Sequence, residues 1–189
     1  MLGADMRVNL SAGAAIFSAS LVCALPAYAS DLSMKDVLCP LERLGEPELN
    51  SWHDGLVAAN GELTDAQYDK IEAAIDICAE DNGWGDADAL AAFEFNVSII
   101  SGAALEEKLT GLGVKIIEYE ALLDGKSTEE LHEIIKDSEN SAILRQAAGM
   151  LVSEMGDKWT QEMSDNLGRY FAHLAESRLA ARRFAEAAT

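Results

Sequence analysis

Three histidines, His53, His132 and His173, are the imidazoles from which a metal centre or a general base would have to be built. His132-Glu133 starts like a zinc-protease helix, whose two histidines four residues apart share one face. Lys136 occupies the place of the second histidine, so that arrangement fails. Glu129 and His132 form one E-x-x-H motif. A di-iron bundle needs two such motifs and two further glutamates, and no second one occurs. Asp81, Asp86 and Asp88 surround Gly83-Trp84-Gly85. An EF-hand loop needs oxygen ligands at alternate positions and a glutamate at the twelfth. Counted from Asp81, the third and fifth residues are glycines and the twelfth is Ala92. Neither a metal nor a cofactor is expected. The chain has no G-x-S-x-G or S-x-x-K nucleophile motif and no glycine-rich loop between a strand and a helix, so no catalytic residue is named.

The cysteines carry a clearer signal. Arg7 precedes an apolar run from Val8 to Leu25, followed by Pro26 and Ala27-Tyr28-Ala29. A charged start, an apolar core and an A-x-A site make a secretory leader. Residues 1–29 therefore read as a signal peptide, and residues 30–189 as a single helical domain of periplasmic or secreted location. Cleavage removes Cys23 and leaves Cys39 and Cys78. In an oxidising compartment an even pair is expected to form a disulfide. The loop it closes is worth ~4 kcal/mol in the chain-entropy account. No stable membrane insertion is expected once the leader is gone.

Cys78 belongs to the best-marked element of the sequence. Thr64 and Gln67 form a capping box, and Leu63 and Tyr68 are placed for a hydrophobic staple. Tyr68, Ile71, Ile75 and Cys78 follow at helical spacing, and Asn82-Gly83 supplies a left-handed stop. A helix over about 65–81 results. Its terminal turn, DNGWGD, is the candidate partner-binding feature: Trp84 as an aromatic anchor, with Asp81, Asp86 and Asp88 around it.

The remaining elements follow the same logic. Residues 31–45 read as one or two short helices ending at Gly45. Pro47 opens another, with Leu49, Trp52, Leu56 and Val57 on one face. Phe93 to Ile99 alternates like a strand, but the helix-forming flanks predict one helix over 87–109, bent at Ser101-Gly102, with Leu90, Phe93, Val97 and Ile100 inward. Val114–Leu123 is a shorter helix. Ser127 and Glu130 make a second capping box before Leu131, Ile134 and Ile135. Helices over 140–155 and 158–187 complete the chain, the last with Trp159, Met163, Leu167, Tyr170 and Phe171 on its apolar side. Arg178, Arg182 and Arg183 are placed to complement its dipole. The class is all-α: an irregular single-domain bundle of about six to eight helices with one disulfide.

The formal charge of −19 excludes partners that reward basic patches, nucleic acid and anionic membranes among them. It favours solubility through a well-solvated surface, or a protein partner with a basic surface. With no assembled catalytic set, the expected function is a non-catalytic protein-binding module of chaperone, inhibitor or immunity type. Two alternatives remain: a hydrolase of cell-envelope material using two carboxylates alone, and a carrier of a small apolar ligand.

Overall fold

The computed structural model describes residues 36–136 and 141–187. The leader read at residues 1–29 lies outside them. Seven α-helices occur among the described residues: α1 (Cys39–Ala58), α2 (Asp65–Asn82), α3 (Asp86–Gly111), α4 (Ile116–Glu120), α5 (Thr128–Lys136), α6 (Ala142–Met155) and α7 (Gln161–Ala187). No strand is found there, and the all-α class holds.

The turn chemistry places most boundaries. Gly45 adopts φ 73° and kinks α1, and Pro47 follows the kink. Before α2, the Gln67 side chain reaches back to the Thr64 amide at 2.8 Å, and the Thr64 hydroxyl donates to the same oxygen at 2.9 Å. Gly83, at φ 68°, ends α2, and the Trp84 amide bonds the Ala79 carbonyl at 2.9 Å. Asp88 caps α3 by accepting from the Gly85 amide at 3.0 Å. The Ser127–Glu130 box closes in both directions, at 2.8 and 3.2 Å.

Helices α3 and α7 form the central pair. Glu94 meets Arg183, Ser98 meets Glu176, and Gly102 faces His173, so the two run antiparallel. Helices α1 and α2 cover one end of this pair. Their Trp52, Leu56, Ile71 and Ile75 pack with Phe95 and Ile99 of α3 and Phe184 of α7. Helices α4, α5 and α6 cover the other end, where Tyr119, Leu131, Ile134 and Leu151 pack with Leu105, Leu109, Leu167 and Phe171. Each fully buried aliphatic or phenyl side chain stabilises this core by about 1.5–3 kcal/mol.

Helix α3 is packed between both groups of helices and is buried on more than one side. Buried positions surround the helix, from Ala91 and Ala92 through Phe95, Asn96 and Ile99 to Leu109, and Leu90, expected inward, is exposed. No single face could emerge from a helix packed on several sides. The helix also runs unbroken through Ser101-Gly102. It is the helix among the described residues long and apolar enough to cross a membrane, yet most of it is buried within the protein.

Three further expectations are corrected. The segment over 114–123 divides into α4 and a 3₁₀ turn, Ala121–Leu123, although Ile116, Tyr119 and Leu123 are buried as expected. The last helix begins at Gln161, and Trp159 stands half exposed before it, its Nε1 donating to Ser164 Oγ at 2.8 Å. Finally, Arg178 and Arg182 do not serve the helix dipole. Arg178 is buried, donates to the Leu123 carbonyl and meets Asp124 at 3.2 Å. Arg182 donates to the Lys126 carbonyl at 2.8 Å and to Thr128 at 3.1 Å. Together they fasten the loop between α4 and α5 onto α7.

Candidate functional site

The disulfide joins Cys39 to Cys78, with the two Cα atoms 6.1 Å apart. It ties the start of α1 to the last turns of α2, and Cys78 is fully buried. The acidic turn beyond it is distributed among several tasks. Asp81 pairs with Arg43 across the α1–α2 contact. Asp88 is the α3 cap. Asp86 is exposed in the first turn of α3, where its charge suits the helix dipole. Trp84 is half-buried and meets Phe184 of α7 edge-on, with ring centroids 5.2 Å apart.

A feature not singled out in the sequence lies on the outer side of α2. Asp65, Asp69, Glu72, Asp76 and Glu80 recur every three or four residues and are all exposed. At 100° per residue they fall within an arc of roughly 80°, opposite the buried Ile71, Ala74, Ile75 and Cys78. Among the described residues, none of the five takes part in an ion pair; the pairs formed on this helix belong to Lys70 and Asp81. Four like-charge neighbours at i,i+3 or i,i+4 result, each destabilising by about 0.2–0.5 kcal/mol. The last turn of α2 has no basic residue to offset Glu80 and Asp81. Beside this stripe stands Ile77, 47% exposed. The spacing DxxxDxxExxxDxxxE is legible in the sequence, on the side of the helix away from its apolar signal.

Several carboxylates elsewhere are engaged by lysines and arginines, and two by tyrosines. Tyr119 donates to Glu154 at 2.6 Å, and Tyr170 donates to Glu120. Burial, then the neighbouring carboxylate, pushes both phenol pKa values up. Glu106 also titrates above the usual carboxylate range, because it is partly buried and Glu120 repels its charge. His53 bridges Asp54 and Glu107. Burial depresses its imidazolium, but the bonds to those two carboxylates outweigh this and raise its pKa. His173 is shifted down, by burial and then by Arg169. No group of three metal-ligating side chains occurs among the described residues.

A groove of about 620 Å³ opens between α5, α6 and α7. Ile135 and Leu144 supply apolar wall, Arg145, Arg169 and Asp165 supply charge, and Gly168 also lines the groove. Gly168 sits within α7, where glycine is less stable than alanine by about 1 kcal/mol. A Cβ built there would meet nothing within 4 Å. Among the described residues of the lining, Asp165 is the one carboxylate, and no second carboxylate for glycoside chemistry faces it there. Ala147, Ala148, Gly168 and Ala172 are among the lining residues, and small residues give no sequence signal of what they leave open.

Comparison of the chain with family models, curated proteins and solved structures found no match in any of the three.

Proposed function

We propose that this protein is an exported, non-catalytic binding module that captures a protein with a basic surface, and that the outer side of α2 is the capturing face. The observation that carries this reading is the carboxylate stripe from Asp65 to Glu80, exposed and without ion pairs among the described residues, with Ile77 beside it. Like charges held in register destabilise the free helix. A partner bearing lysines and arginines at matching spacing removes that repulsion on binding, and desolvation of Ile77 adds an apolar contact. Asp86 extends the negative surface beyond the turn after α2. The disulfide supports export, since such bonds persist in oxidising compartments.

The test is capture from the exported fraction after gentle crosslinking, with native protein and with the triple variant Asp69→Asn, Glu72→Gln, Asp76→Asn as bait. The native bait should retain a basic partner that is lost at about 1 M salt, where the screening length falls to ~3 Å. The variant should lose capture while melting at a higher temperature, since the repulsion within α2 is relieved. Equal capture by both baits, or no partner on the native bait, would overturn the reading.

A further inference from the structure

The groove between α5, α6 and α7 is separate from the α2 face, and its walls point to a ligand of different chemistry. Its volume of about 620 Å³ lies inside the range of small-molecule sites. Gly168 is the informative residue. It lies within a 27-residue helix, shows no positive φ, and has open space where a side chain would go. Neither a turn nor a close helix approach requires glycine there, and alanine would make a better helix. Ala148 and Ala172 line the same groove with short side chains. The charge of the lining also departs from the rest of the molecule. In a chain of net charge −19, its described residues include two arginines against one aspartate.

We propose that this groove binds a small apolar carboxylate, an acyl or aryl acid whose apolar part lies over Gly168 against Ile135 and Leu144 and whose carboxylate is taken by Arg169 and Arg145. Arg169 pairs with Glu62 at 2.9 Å, but both side chains are about half exposed or more, and such pairs are weak enough to exchange. Asp165 already accepts from Gln161 at 2.9 Å, which moderates its repulsion of an incoming acid. Arg145 has an interaction of its own within the protein, so binding exchanges its contacts as it does those of Arg169. A bidentate guanidinium–carboxylate contact, partly shielded by the groove walls, is stronger than the exposed pair it replaces.

The experiment is calorimetric titration of the mature, disulfide-bonded protein with decanoate, 2-naphthoate, decanol and decyltrimethylammonium. One or both acids should bind in the micromolar range, the alcohol about tenfold more weakly, and the cation not measurably. Stronger binding of decanoate assigns an acyl ligand, and stronger binding of 2-naphthoate an aryl one. Gly168→Leu fills part of the groove and strengthens the helix, so it should melt no lower than the native protein yet lose at least about tenfold in affinity. Ala148→Leu fills the groove from the facing helix and should lose affinity likewise. Arg169→Gln should weaken the acids and leave the alcohol unchanged. Equal affinity for acid and alcohol, native affinity in a folded groove-filling variant, or no acid binding below the millimolar range would overturn the proposal.

Discussion

His53 and His173 stand in opposite electrostatic surroundings, and the difference has a pH signature. The pKa of His53 is raised above its ordinary 6.5 by Asp54 and Glu107. A raised folded value means the protonated form is favoured by folding, so this stabilisation is full below pH 6.5 and is lost as pH rises through the folded value. His173 is depressed below 6.5. Its contribution is present above pH 6.5 and is lost as pH falls through the folded value. The two losses therefore lie on opposite sides of pH 6.5. Urea midpoints measured across this range should decline on the alkaline side for the native protein, and His53→Gln should remove that decline while leaving the acid-side one. An alkaline limb unchanged in His53→Gln would contradict the pairing. Arg178 teaches a complementary lesson. Near a helix end its charge reads as a dipole partner, but it is buried and holds the Leu123 carbonyl. Nothing near it in the sequence announces that the loop after α4 returns to it, since the two residues are 55 positions apart.

Among the elements, the positions of the helices follow from their caps and stops. Gly45, Gly61, Gly83, Gly113, Gly125 and Gly156 all adopt positive φ and punctuate the chain where turns were expected. Two of them differ in a way that can be measured. Gly83 has φ 68° and open space around a notional Cβ, whereas Gly61 has φ 78° and the Ser101 carbonyl oxygen 2.7 Å away. Gly83→Ala should destabilise by about 1–2 kcal/mol, the left-handed penalty alone. Gly61→Ala adds a backbone clash and should approach about 3 kcal/mol, the upper range for locally held strain. Denaturant melts of the two variants decide this; equal losses would show that α1 and α3 do not press together at the turn. That approach could not be read from the sequence, where Asn60-Gly61 is only a turn signal. The same limit applies to α3, whose burial on several sides depends on neighbours distant in the chain. The α2 stripe was legible in its spacing, whereas the groove was not, because the small residues in its lining carry no such signal.

At the scale of the whole molecule, α3 and α7 serve two core clusters, and the disulfide belongs to one of them. Cys39 and Cys78 lie in the half built from α1 and α2, while Tyr119, Leu131 and Leu151 form the other half without a cross-link. Reduction should therefore act unevenly. The loop of 39 residues predicts a loss of ~4 kcal/mol by the chain-entropy account. Hydrogen exchange of Cys78→Ser should accelerate first in α1 and at the α1–α2 contact, with α5 and α6 near native protection until global unfolding. Uniform acceleration across both halves would show that the shared helices couple them more tightly than the cross-link divides them.

The same bond has a mechanical consequence. Tension applied through the residues before Cys39 passes across the sulfur bridge directly into the end of α2, so everything between the two cysteines carries no load. Helix α1 and most of α2 are thus a stored length, about 130 Å when extended at ~3.4 Å per residue, that stretching cannot release while the bridge is intact. Under such tension α2 keeps its outward face in register, and a reductant, not force, is what lets that half of the molecule pay out.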